Sequence, residues 1–328
     1  MRLDCKKNIN ELDFAKGILI ILMVLFHIEL IENIYPMLKT AVYAFHMAGF
    51  LVISGYLANT EKSTSVFLKD CMHILVPYIF FESIYIIFKY LLTGVLSIST
   101  YIEELTIKQL INYLLFAPEG PYWYLHTLII CLMIYYFVIR KIKLNINSSF
   151  IIIACIIYCL SLIISGFHWS NALYFITGAY LRSHNLKIEE IFPISGLTII
   201  PLSFLYYTPG SYIEGSYSAF FITILMLSCF FWLYTHCLSW VRNFCIYLGK
   251  NTLSIVVFSP IFTITSKMFL KYFSFDSSGI IFAMITVAYV IIGSLISSKL
   301  CDITGISKLL FFKKKIYVNK SKIINKAI

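Results

Sequence analysis

Long apolar runs broken by short polar and basic clusters make up almost the whole chain. The runs are too continuous for the alternating pattern of a barrel, and an open sheet leaves unpaired edges in lipid, so they predict helices. About 20 mostly apolar residues are needed to cross a bilayer as a helix. Ten segments qualify as candidates: 13–31, 40–58, 74–93, 122–139, 149–167, 171–182, 191–208, 219–238, 252–270 and 279–298. The sixth is short enough to be a half-span. Between the third and fourth runs a polar stretch holds Ser97, Ser99, Thr100, Glu103 and Glu104. Leu110 to Phe116 then reads as an amphipathic helix lying at the surface.

Composition sharpens the class. The chain has 328 residues, 60% of them hydrophobic and only 13% charged, against about 25% charged in globular proteins. Its mean hydropathy is +0.85. The fold class expected is all-α, a polytopic membrane protein of about ten transmembrane helices. Two regions follow: 1–300 as an integral-membrane domain and 301–328 as a basic tail.

The net charge of +10 raises the question of nucleic acid, but its placement answers against that partner. With the N-terminus taken as cytoplasmic, 21 of the 26 Lys and Arg residues fall on the cytoplasmic side and five outside. That bias agrees with the positive-inside rule and puts both termini in the cytoplasm. The tail lysines, Lys313 to Lys315, Lys320, Lys322 and Lys326, then read as a segment attracted to anionic membrane lipid. Arg2, Lys6 and Lys7 precede the first run as in a signal peptide, yet no small-residue cleavage site follows, so a retained first helix is expected. None of the nine cysteines forms a Cys-x-x-Cys pair, so neither a disulfide framework nor a metal site is expected.

Candidate chemistry begins on the first run. Lys16 and His27 are eleven residues apart. On one continuous helix that is almost three turns, so both share a face about 16 Å apart along the axis. Ionisable residues inside an apolar span are functional candidates by default. The spacing suits a long molecule anchored by its charged end at Lys16 and reacting near His27, whose neutral imidazole is the form a general base needs. The second run enters from the opposite side and brings His46 to a similar depth. Two histidines on adjacent helices suit a base with its partner. The competing reading for each is a packing histidine bonded to a neighbouring helix.

Several short motifs carry a resemblance. They are Leu12-Asp13-x-x-Lys16-Gly17-Ile18 with ten residues between Lys16 and His27, Phe45-His46-Met47, Ser54-Gly55-Tyr56-Leu57 and Leu75-Val76-Pro77-Tyr78. Further along come Gly120-Pro121-Tyr122-Trp123-Tyr124-Leu125, Phe175-Ile176-Thr177-Gly178-Ala179-Tyr180-Leu181 and Leu248-Gly249-Lys250-Asn251-Thr252-Leu253-Ser254. In order and spacing they resemble the acyltransferase-3 family of integral-membrane O-acyltransferases, in the branch of fucose 4-O-acetylase-like and surface-polysaccharide acetyltransferases. The resemblance implies an O-acetyltransferase of the plasma or inner membrane. It would move an acetyl group from acetyl-CoA, a co-substrate, to a hydroxyl of a surface glycan or its lipid-linked precursor.

By the same resemblance Lys16 is the basic residue that holds the donor's phosphate and His27 is the catalytic histidine; His46 is a candidate to assist, and Lys69 and His73 are candidates to help hold the donor. Glu82, Glu119 and Trp123 are candidates for the sugar. Glu82 reads equally well as a protonated packing residue, and Trp123 as an interfacial belt residue. Three positions depart from the family pattern. The stretch before Pro77 has fewer cations than the family's arginines, His126 stands where some branches have a glutamate, and Ser259 stands where a histidine is frequent. A transporter or flippase for a glycan or lipid is the alternative class, disfavoured by the lack of an internal repeat. The oligomeric state is left open, a homo-oligomer included.

Overall fold

The computed structural model describes residues 5–91, 105–142, 144–186, 195–208 and 210–319. The polar stretch at 97–104 and the lysines at 320, 322 and 326 lie outside them. Among the described residues the structure is helical and has no strand. In chain order the helices are α1 (Cys5–Leu25), α2 (Glu29–Ile34), α3 (Pro36–Tyr43), α4 (His46–Leu57), α5 (Thr64–Leu91), α6 (Ile107–Leu115), α7 (Trp123–Lys141) and α8 (Ile146–Ile163). Then follow α9 (Trp169–Ser183), α10 (Ile199–Tyr207), α11 (Tyr217–His236), α12 (Ser239–Lys250), α13 (Thr252–Ser266), α14 (Ile280–Thr304) and α15 (Ile306–Leu310).

Within the described residues each of the ten expected runs overlaps helix. Among the described residues seven helical stretches are long and apolar enough to cross a membrane: 36–57, 64–91, 107–141, 146–163, 217–236, 252–273 and 280–304. The runs expected at 13–31, 171–182 and 191–208 coincide with α1, α9 and α10 but fall short in length or apolarity. For α1 the reason is its position. It packs on α4, α11, α12, α13 and α14, and Ala15, Leu19, Ile20 and Val24 are completely buried. A helix wrapped by other helices has no lipid-facing surface to keep apolar, so it tolerates Glu11, Asp13 and Lys16. The amphipathic helix expected near 110–116 falls on α6, which has no buried residue and a capping box at Thr106 and Gln109 and forms the first part of the 107–141 stretch.

Two close helix contacts hold the centre. A Cβ added at Gly17 or Gly249 would strike the backbone carbonyls of Cys245 and Asp13 respectively, so α1 and α12 touch backbone to backbone. The same reciprocal arrangement joins α4 and α9, where Gly55 meets the Phe175 carbonyl and Gly178 meets that of Val52. Small residues are what permit such approaches inside a membrane bundle, where packing rather than hydrophobicity drives association.

The first run departs from the continuous helix expected over 13–31. α1 ends at Leu25. The last bonds tighten, with the N–H groups of His27 and Ile28 donating to the carbonyls of Val24 and Leu25, both at 3.3 Å. A new helix starts at Glu29, with Glu29 and Glu32 in its first turn, where negative charge is favoured by the helix dipole. The second run is broken likewise, between Tyr43 and His46.

Candidate active site

Both helix breaks place a histidine, and each histidine does the same thing. The final carbonyls of a helix lack an intrahelical partner, and that of Val42 takes a 3.1 Å bond from the Phe45 N–H beyond the helix end. His27 Nδ1 donates to the carbonyl of Met23, four residues back, at 2.7 Å. His46 Nδ1 donates to the carbonyl of Val42, also four back, at 2.9 Å. A carbonyl only accepts, so Nδ1 carries the proton in both rings. Nε2 is then left as the lone-pair nitrogen, the atom a general base uses. His46 Nε2 is buried and has no hydrogen-bond partner.

The rings converge with Tyr43. Centroids lie 6.0 Å apart for His27 and Tyr43, 5.0 Å for Tyr43 and His46, and 6.5 Å for the two histidines. Tyr43 Oη is 2.9 Å from both the Phe26 carbonyl and Glu32 Oε1, and Glu32 Oε2 pairs with Lys39 at 2.9 Å. This links the two breaks and fixes the depth of both rings. His27, Tyr43, His46, Trp123 and Glu214 line one cavity of about 140 Å³. At its rim, desolvation pushes the Glu214 carboxyl up from the ordinary carboxylate value, opposed by His168 and by a hydrogen bond with the Asn171 side chain.

A second cavity, of about 300 Å³, is lined by Lys16, Ser54, Lys62, Asp70, His73 and Tyr124 among others. Lys16 Nζ lies 2.7 Å from Asp13 Oδ1, and Lys62 Nζ lies 2.6 Å from Asp70 Oδ2. The hydroxyls of Ser54 and Tyr124 bond at 2.9 Å. Lys16 and His27 therefore line different cavities. The two linings meet at Val256 of α13, which contributes to both.

The remaining sequence candidates scatter. Lys69 is exposed and lines neither cavity. Glu82 is fully buried and its Oε1 accepts the backbone N–H of Glu119 at 2.6 Å, while Oε2 has no partner. Glu119 itself pairs with Lys89 of α5 at 2.5 Å. These three hold the turn before α7, where Gly120 takes φ 71° and so brings Trp123 to the histidines. Sequence reasoning missed Tyr43, Lys62 and Glu214. Nothing marks Tyr43 among 24 tyrosines, although it lies three residues before His46.

The family whose description is acyltransferase domain matches residues 9–299. The chain belongs to the acyltransferase-3 family. No curated protein and no solved structure matches it. For a membrane acyltransferase, several family motifs now have physical content. Asp13 is the partner of Lys16, Gly17 and Gly249 let α12 lie against α1, and Ser54 holds Tyr124. Gly55 and Gly178 join α4 to α9.

Proposed function

We propose that this acyltransferase transfers an acetyl group from acetyl-CoA to a hydroxyl of a surface glycan or its lipid-linked precursor, in the plasma or inner membrane. The reading rests on one observation above all: two histidines with Nδ1 committed to carbonyls and Nε2 free beside a cavity. The excess of Lys and Arg argues for the Lys16 end as cytoplasmic. The donor enters there, with its charged end near Lys16 and His73 and its pantetheine arm running toward Val256. The acceptor enters from the His27 side, where Trp123 offers a flat face to a sugar ring and Glu214 an acceptor for its hydroxyls.

In the reaction the acceptor oxygen attacks the thioester carbonyl carbon. The new C–O bond forms as the C–S bond breaks. His27 Nε2 takes the hydroxyl proton and returns it to the departing sulfur, giving the ester and free thiol. His46 assists through its own Nε2. Holding both substrates in line contributes much of the acceleration in a two-substrate transfer.

The test is labelled acetyl-CoA supplied to membranes containing the full chain. Label is expected in glycan, and His27→Ala is expected to lower transfer by about 10²–10⁴-fold, the usual worth of a positioned base, at an unchanged protein level. Full transfer by that variant would remove His27 from the mechanism. No label in any glycan or lipid-linked sugar from the parent protein would overturn the acetyl-transfer reading.

A further inference from the structure

Residues 306–319, which follow α14, do not trail away from the bundle. Residues 311–318 have no regular structure, yet they lie strapped across the end that carries Lys16. Phe311 is completely buried, and its carbonyl accepts from His73 Nδ1 at 2.6 Å. The Asp302 carboxylate accepts the N–H groups of Ile316 and Tyr317, each at 3.0 Å. Asn251 clasps Val318 in both directions, with Nδ2 donating to its carbonyl at 3.2 Å and Oδ1 accepting its N–H at 2.9 Å. The hydroxyls of Tyr317 and Tyr247 bond at 2.9 Å. A free tail has no use for so many directional anchors.

What the strap holds in place is Lys313-Lys314-Lys315, all exposed. Lys313 lies within electrostatic reach of Asp70, Lys62 and His73, and those three line the larger cavity. The cations inside that cavity are already matched, Lys16 by Asp13 and Lys62 by Asp70. Among the described residues no carboxylate comes within ion-pair distance of Lys313. Through the Phe311–His73 bond the strap brings Lys313, a cation without an ion pair, beside this lining. It stands beside the stretch before Pro77 in which cations are sparse. An ammonium group at the surface without an ion-pair partner suits a phosphate that stays partly in water.

We propose that the strap is part of the donor site, with Lys313, supported by Lys314 and Lys315, binding phosphate groups at the mouth of the larger cavity. The ligand class is a nucleotide-linked thioester whose phosphates remain at the surface while its arm enters. This rests on the acyl-transfer reading and adds to it the group that recognises the donor's phosphates. Anionic lipid headgroups share that phosphate chemistry, so the experiment separates the two.

The full chain is purified in non-ionic detergent without anionic lipid, and coenzyme A and dephospho-coenzyme A are titrated into the parent, a Lys313→Gln/Lys314→Gln/Lys315→Gln variant and Lys313→Arg. Each protein is also melted with and without added phosphatidylserine. The triple variant is expected to melt like the parent and to bind coenzyme A roughly five- to tenfold more weakly, as befits the loss of exposed charge contacts. Lys313→Arg is expected to bind like the parent, and the difference between parent and triple variant is expected to shrink as salt is raised. Unchanged coenzyme A affinity in the triple variant, with loss only of a stabilisation by phosphatidylserine, overturns the proposal in favour of a lipid anchor. If the parent transfers acetyl while the triple variant binds coenzyme A as tightly as the parent, the strap proposal alone falls. If the parent neither binds coenzyme A nor transfers acetyl, the underlying reading falls with it.

Discussion

At residue scale, the decisive fact about His27 and His46 is which nitrogen each has left. Both rings satisfy a carbonyl at a helix break through Nδ1. That makes structural and chemical roles separable by substitution. An asparagine amide reaches the Nδ1 position but not that of Nε2. His46→Asn is therefore expected to keep the bond to the Val42 carbonyl and melt within about 1 kcal/mol of the parent, the net worth of one hydrogen bond. If Nε2 assists the reaction, transfer drops about 10²-fold or more; unaltered turnover in this variant would make His46 a packing residue. Lys16, His27 and His46 were legible in the sequence because ionisable groups stand out against apolar neighbours. Lys62 was not, because in sequence it is one of several polar residues in a connection. Only the fold of α5 against α7 brings it to the cavity.

At the scale of elements, the apolar pattern located the helices but not their interruptions. A run of apolar residues reads the same whether one helix passes through it or two meet in it. At the breaks after Leu25 and Tyr43 the rings of His27 and His46 donate to the carbonyls of Met23 and Val42, which hydropathy does not register. The helix pairs are more legible, since Gly17, Gly55, Gly178 and Gly249 are conspicuous in helical segments. Their partners are not. Gly55→Ala and Gly178→Ala are each expected to destabilise by at least about 1–3 kcal/mol, the usual cost of overpacking, because the facing atom is backbone carbonyl. Gly49→Ala is expected to cost less, since its Cβ would meet the side chain of Leu19 at 3.1 Å, which can turn aside. Thermal melting of the three variants in detergent checks the order, and equal losses would refute the backbone-contact account.

On the scale of the whole molecule, the two cavities open on different sets of residues and share Val256. On the proposed function, an acyl group passing from the larger to the smaller goes by that side chain. Val256→Phe is expected to reduce acetyl transfer strongly while coenzyme A still binds with parental affinity, because the added ring narrows the junction and leaves the phosphate end untouched. Parental turnover in Val256→Phe would place the acyl path elsewhere. Glu82, Lys89 and Glu119 serve this level too. They form a polar cluster, with Glu82 and Lys89 buried and Glu119 half-buried, that holds the turn before α7, the helix that begins at Trp123.

The sequence by itself determined an all-helical chain built for a membrane, the approximate place of every long helix, the family and the histidines worth testing. These are local properties: hydropathy, residue type and spacing along one segment. The tertiary structure alone decided that Lys16 and His27 face different cavities and that α1 is sheathed by other helices. It also decided that residues 311–318 are strapped over the bundle by Asp302, Asn251 and His73. Each of those depends on which carbonyl, carboxylate or ring comes to lie opposite, and residues far apart in the chain meet only once the helices have packed.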